Sequence, residues 1–88
     1  MTVAVDRRAA WRLSPEVSLR EEPFGALAYH HGNRRLVVVK STALARLLER
    51  LGEYPSMDDA LAEVPESARE RVARALENLV DSGIVSGR

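Results

Sequence analysis

The sequence contains no cysteine, which removes disulfides, thiolate metal sites and cysteine nucleophiles together. It carries no net charge, since thirteen basic residues balance thirteen acidic ones. The broad positive field with which a dedicated nucleic-acid binder collects phosphate is therefore missing. No apolar run reaches the length a bilayer requires, and the N-terminal MTVAVDRRAAW lacks the hydrophobic stretch of a secretion signal. These absences lead to the expectation of a soluble, cytoplasmic chain with no membrane partner. No glycine loop is spaced to cradle a phosphate. With 88 residues, the chain has room for one domain with one small core and little room for a deep catalytic cleft of its own.

What is present is unevenly placed. Residues 1–50 hold nine Lys or Arg against five Asp or Glu, a net of +4, while residues 51–88 hold four against eight, a net of −4. Such a division suggests that the front half meets an acidic partner. Candidate catalytic groups are few. His30 and His31 are neighbours in an extended run, so their side chains point to opposite faces and cannot share a metal. Asp58 and Asp59 suit the first turn of a helix, where carboxylates face the helix dipole. No serine sits in a nucleophile elbow, and Ser41, Ser56 and Ser67 fall where helix caps are wanted. No enzymatic activity, cofactor or metal site is expected.

The chain divides into an extended front and a helical back. Val17-Ser18-Leu19-Arg20 alternates and reads as a first strand ending near Glu22-Pro23. Phe24 to His31 and Arg34 to Lys40 are two extended runs around Gly32-Asn33, a two-residue hairpin turn. That turn pairs Tyr29 with Leu36 and Leu27 with Val38 on one face, expected to be the core side. It pairs Ala28 with Val37 and Ala26 with Val39 on the other. Ser41 opens a helix with Leu44, Leu47, Leu48 and Leu51 on one stripe, closed by Gly52. Ser56 with Asp59 forms a capping box for a short helix with Met57, Ala60, Leu61 and Val64 inward, stopped at Pro65. Ser67 with Glu70 forms a second box for a longer helix that buries Ala68, Val72, Ala75, Leu76 and Leu79 and ends at Ser82-Gly83, with Arg69, Ala73 and Val80 along one shoulder. Residues 1–10 are expected to be a flexible terminus and residues 11–88 a single domain.

The stretch RRLVVVK, Arg34 to Lys40, does not alternate. A strand buried on both faces would read the same way. Three strands joined by short connections, however, form a meander whose third strand is an edge. Arg34, Arg35 and Lys40 would then be the charges that discourage edge-to-edge aggregation. An apolar edge with basic guards suits either a peptide that adds a strand or a covering helix or loop of the same chain.

The run RLSPEVSLREEPFGALAYHHGNRRLVVVKS followed by three helices resembles the mycofactocin-system peptide-binding family (MftB), small relatives of the PqqD-like recognition elements of ribosomally made, modified peptides. The resemblance spans Trp11 to Val85, and PFGALAYHHGNRRL, Pro23 to Leu36, is its most specific part. It implies an α+β, winged-helix-like domain with a three-stranded antiparallel sheet followed by three helices. It also implies a peptide chaperone without catalysis that binds the leader of a precursor peptide and presents it to a radical SAM maturase, which modifies the precursor's C-terminal Val-Tyr. The leader would add to the third strand, along Arg34, Arg35, Leu36, Val37, Val38 and Val39, with Arg69, Ala73, Leu76 and Val80 of the third helix opposite. The rival is a winged-helix nucleic-acid binder with the third helix as recognition element. In residues 66–82, Arg69, Arg71 and Arg74 face Glu66, Glu70, Glu77 and Asp81, so that helix has no net attraction for phosphate. A third possibility is a structural subunit that docks on an enzyme without touching substrate.

Overall fold

The structure is a computed structural model that describes residues 5–88. The order of elements is β1 (Trp11–Leu13), β2 (Val17–Glu22), β3 (Gly25–His30), β4 (Leu36–Val39), α1 (Thr42–Arg50), a 3-10 turn (Leu51–Glu53), α2 (Met57–Leu61), α3 (Glu66–Asp81) and β5 (Val85–Gly87). β2, β3 and β4 form the antiparallel meander in that order, with β4 at one edge. β1 and β5, which the sequence pattern did not announce, pair antiparallel and bring the two ends of the chain together. Three residues each is too short a run for a period-two pattern to stand out. The fold is thus α+β, with antiparallel sheets and three α-helices.

The hairpin pairs Ala26 with Val39, Leu27 with Val38, Ala28 with Val37 and Tyr29 with Leu36, the register expected from the sequence, but its faces are exchanged. Ala26, Ala28 and Val39 are in the core, while Leu36, Val38 and Tyr29 are exposed on the outer face. The reason is packing. α1 lies against β3, and only alanines on the inner face let its Ala45 and Leu48 come close enough to fill the space. The turn also differs, because residues 31–34 form a four-residue loop in which Arg34 adopts φ 60°. The register survives because the His30 N–H donates to the Arg35 carbonyl at 2.9 Å.

Gly25 fixes where the sheet meets the helices. Its φ is +148°, and a Cβ there would run into the Val39 carbonyl oxygen and come within 2.7 Å of the Ser41 nitrogen. Ser41 then caps α1, its hydroxyl accepting from the Leu44 N–H at 3.1 Å. Gly52, expected to stop that helix, lies instead inside the 3-10 turn that continues it.

The Ser56 cap forms, its hydroxyl accepting from the Asp59 N–H at 3.1 Å and donating to the Asp59 carboxylate at 2.9 Å. The Ser67–Glu70 box does not. α3 starts at Glu66, and Pro65 takes the N-cap position with no side-chain oxygen to accept a hydrogen bond, so the helix has no side-chain cap. With the helix rotated accordingly, Ala73, Leu76 and Leu79 enter the core, and Ala68, Val72 and Ala75 are only partly buried. At the other end Gly83 (φ 81°) allows a Schellman cap, in which the Gly83 N–H donates to the Val80 carbonyl and the Ile84 N–H to the Leu79 carbonyl. Ile84 and Val85 thereby become fully buried beside Leu48, Leu51, Met57 and Leu76. Each such side chain is worth about 1.5–3 kcal/mol of burial.

Residues 5–10, read from the sequence as part of a flexible terminus, lie along α2 and α3. The Ala9 and Arg7 carbonyls accept from the Met57 and Asp58 N–H groups at 3.0 and 2.8 Å, and Arg7 pairs with Glu77 at 2.6 Å. Gly25→Ala should therefore destabilise the domain, with about 1–3 kcal/mol lost to backbone strain before the steric clash is added. Gly87→Ala, with nothing within 4 Å of its new Cβ, should stay within about 0.5 kcal/mol of wild type. Urea unfolding followed by circular dichroism measures both.

Candidate functional site: an open strand edge and the groove beside it

An antiparallel ladder alternates between residues that bond inward and residues that do not. The bond from His30 N–H to the Arg35 carbonyl, with the register above, sets the phase. Val37 and Val39 spend their N–H and C=O groups on β3, and those of Leu36 and Val38 point away from the sheet. No strand among the described residues pairs with that side. The side chains of the same two residues are open as well, Leu36 at 59% and Val38 at 48% exposure. Tyr29, the cross-strand partner of Leu36, is at 36%.

The loop that leads into this edge is organised by His30, for which the sequence predicts only that it shares no metal with His31. Its ring is buried, and Nδ1 accepts from the N–H groups of Gly32 and Asn33, both at 3.0 Å. An imidazole nitrogen accepting two donors carries no proton, so the proton sits on Nε2, which lies 3.7 Å from a Glu16 carboxylate oxygen. Asn33 in turn accepts from the Arg35 N–H at 2.9 Å and reaches the Ser82 carbonyl at 3.4 Å. The two arginines before the strand are thus aimed from a fixed loop, with Arg34 and Arg35 both exposed. His31 points elsewhere, its Nε2 2.7 Å from the Ser18 hydroxyl and its ring edge-on to Tyr29 at 4.9 Å. No group of three or more potential ligands converges on a metal among the described residues.

A groove of about 530 Å³ lies between α1 and α3, just past the end of β4. Leu44, Leu47, Val64, Ala68, Val72 and Ala75 supply its apolar lining, and Lys40 and Ser41, the residues directly after β4, line it too. Its charged lining is lopsided: Lys40, Arg46, Arg50 and Arg71 against Glu63 alone. None of the four cations is in a salt bridge among the described residues, although Arg50 sits 5.7 Å from the Tyr54 ring centroid.

The residues expected to bind peptide are accordingly split. Arg34, Arg35, Leu36 and Val38 are accessible, Val37 is half-buried and Val39 is in the core. On α3, Ala73 and Leu76 are fully buried and Val80 is half-buried. Arg69 is occupied: its guanidinium donates to the Leu61 carbonyl at 3.0 Å and to the Val64 carbonyl at 2.9 Å, closing the end of α2 and the turn after it. The face of α3 that meets the groove, with Ala68, Val72 and Ala75, was read from the sequence as core. One signal pointed to it: Arg46 and Arg50 are four apart on one helix, a like-charge pair that costs stability unless something acidic faces it.

Shifted acidities lie at the N-terminal segment. Bonding to Glu77 holds the Arg7 guanidinium above its usual value against the opposing cost of burial, with further support from Glu70. The Arg8 backbone N–H, then its side chain, hold the Asp6 carboxyl below its usual range.

Residues 10–86 match the model of the family described as "Peptide chaperone MftB family". A protein named Peptide chaperone MftB from Mycobacterium tuberculosis (strain ATCC 25618 / H37Rv) is 35% identical over 85 residues, covering 94% of this chain and 78% of the relative. One of the same name from Mycolicibacterium smegmatis (strain ATCC 700084 / mc(2)155) is 34% identical over 85 residues, covering 94% and 83%. No solved structure matches the chain significantly.

If Arg69 serves the fold and not a ligand, Arg69→Ala should lower stability by about 1.5–3 kcal/mol, the range for hydrogen bonds to a charged donor. It should leave the affinity of the folded protein for any peptide unchanged. Chemical denaturation and a binding titration on the same preparation separate the two roles.

Proposed function

The chain belongs to the peptide chaperone MftB family, whose named role is non-catalytic, and from that premise we propose a specific carrier role. The domain, winged-helix-like in its strands-then-helices order, binds the leader of a ribosomally made precursor peptide in mycofactocin biosynthesis. The leader adds as a strand to β4, and the loaded protein presents the precursor to a radical SAM maturase. The observation that carries this reading is the outward N–H and C=O of Leu36 and Val38 on an unpaired edge whose side chains are also open.

Charge favours a peptide over the other occupants of such an edge. A second copy pairing antiparallel along β4 would bring Lys40 of one chain toward Arg34 and Arg35 of the other, and like charges across strands repel. Nucleic acid is disfavoured from the helix side. On α3, Arg69 is committed to two carbonyls and Arg74 lies 3.7 Å from Glu70, leaving Arg71 as the arginine with no ion-pair partner among the described residues. A single free cation makes α3 a poor recognition helix, and the other cations on that side, Lys40, Arg46 and Arg50, ring a groove lined mainly by apolar residues, which a phosphate backbone would not cover. An acidic strand-forming peptide meets neither obstacle. No helix is long and apolar enough to cross a membrane among the described residues.

Proline scanning tests strand addition directly. Val38→Pro deletes an N–H that faces outward, so it should abolish docking of the leader while the domain keeps its helical signal. Val37→Pro deletes one that holds β4 to β3, so it should destabilise the fold itself. Unchanged leader affinity in Val38→Pro would exclude this edge.

The guards should act on encounter more than on residence. Reversing both, Arg34→Glu with Arg35→Glu, should slow association with an acidic leader and invert its salt dependence, a change of about 1–2 kcal/mol in all. Arg8→Glu, on a side chain paired only with its neighbour Asp6, is the control. Stopped-flow mixing at two ionic strengths reads the difference.

A further inference from the structure

Resting on the carrier reading, we infer that the outer face of the β2–β3–β4 sheet is the surface on which the maturase docks, through a patch of its own that is apolar at the centre and rimmed by carboxylates. Phe24, Tyr29, Leu36 and Val38 are the large apolar side chains exposed among the described residues, and all four belong to this sheet. The register sets Tyr29 and Leu27 between Ser18 and Arg20 of β2 on one side and Leu36 and Val38 of β4 on the other. Phe24 sits in the turn that joins β2 to β3. α1 packs on the opposite face, where Ala26, Ala28 and Val39 are buried. Exposed apolar side chains gathered in one place mark an interaction surface.

Position, charge and size each narrow the occupant. A leader pairs with β4, whereas Arg20 is on the far strand of the sheet, about 10 Å from β4. The rim is basic: Arg20, Arg34 and Lys40 stand against Glu22, which Arg20 already holds at 3.1 Å. A second copy offering the same face would set cation against cation, so the face suits an acidic partner. Three strands ~4.8 Å apart, with four paired residues at ~3.4 Å each, span about 200 Å², well below the ~800 Å² per partner of a stable complex. A contact of that size suits a partner that visits and leaves, as a maturase receiving one precursor after another must. Loading widens it, because an added strand continues the sheet and turns every second side chain of the leader to the same face. A loaded carrier therefore offers the maturase a broader surface than an empty one.

The probes are the purified radical SAM maturase and the synthetic precursor leader, both from this chain's own organism, titrated against the immobilised domain by biolayer interferometry. The leader-free wild type should bind the maturase, and saturating leader should tighten that binding. Arg20→Glu with Phe24→Ser should weaken maturase binding about tenfold or more, with the share due to charge shrinking as salt is added. Leader affinity should stay within about twofold, since both positions lie away from β4. The milder pair Arg20→Gln with Phe24→Leu should fall between. Both side chains are exposed, so wild-type melting of these variants is expected and is checked by circular dichroism. Val38→Pro should keep maturase binding to the leader-free domain and lose the tightening by leader. The inference is overturned if the wild type does not bind the maturase, if Arg20→Glu with Phe24→Ser binds it as tightly as wild type, or if sedimentation shows a wild-type self-association that this variant removes. The carrier reading and the docking face fail separately. A wild-type domain that takes no leader sinks the first, and a domain that takes leader while its Arg20 and Phe24 variant keeps full maturase affinity sinks the second.

Discussion

The contact on which the site depends is the one at Gly25, where β3 begins against the carbonyl of Val39 and the nitrogen of Ser41. Because no side chain fits there, the chain leaving β4 turns into α1 with its backbone pressed on the start of β3. That junction lays α1 across the inner face, which is why Ala26 and Ala28 are inside and Leu36 and Val38 are outside. It also keeps α1 from lying along the free side of β4. Had the crossing been looser, the helix could have slid over the edge and shielded it from a partner strand. The open edge and the helix-bounded groove are two consequences of one tight turn.

Much of this was written in the residues, and the parts that were not share a cause. The hairpin register, the position of β4 at an edge, the Ser41 and Ser56 caps and the Ser82-Gly83 stop all follow from local chemistry: turn residues, cap oxygens and a glycine with positive φ. The exchange of the two hairpin faces did not. Size alone assigns Leu27, Tyr29, Leu36 and Val38 to a core, and only the approach distance of a helix from elsewhere in the chain makes alanine the better inner residue. The same holds for α3. Of the residues expected inside, Leu76 and Leu79 are buried, but Ala68, Val72 and Ala75 are only partly so while Ala73 is fully buried, because small apolar residues on either side of a stripe look alike in sequence and the neighbouring elements decide which of them meets the core. The pairing of β1 with β5 joins residues more than seventy apart, a distance over which no periodicity speaks. His30 is the one site residue that local reading undervalued, since a histidine directly before a Gly-Asn turn is placed to accept the N–H groups of that turn.

Charge explains why an edge with exposed valine and leucine is compatible with a monomer. The cations bracket β4, with Arg34 and Arg35 before it and Lys40 after it, and antiparallel self-pairing sets the two ends against each other. The acids in this part of the chain are kept elsewhere: Glu22 pairs with Arg20 at 3.1 Å and Glu16 faces His30. The edge is therefore closed to its own copy by repulsion and open to a strand of opposite charge. For the proposed strand addition, this is specificity obtained by excluding the wrong partner as well as by attracting the right one.

The strand edge cannot be the whole source of affinity, and magnitudes show why. Leu36 and Val38 offer two N–H and two C=O groups, and a main-chain hydrogen bond nets about 0.5–1.5 kcal/mol, so four of them give about 2–6 kcal/mol. Against this stands the loss of translational and rotational freedom, about 4 kcal/mol at the least, and the ordering of each peptide residue. Strand pairing alone thus nets at best about 2 kcal/mol in favour of binding, well short of the 4.1 kcal/mol that corresponds to ~1 mM. What main-chain pairing does supply is direction and register, which are indifferent to the sequence being held. Affinity and discrimination have to come from side chains, at the rim through Arg34 and Arg35 and in the interior through an apolar surface that water leaves. Strand addition as proposed therefore needs the exposed side chains of Leu36, Val38 and Tyr29 as well as the backbone groups beside them.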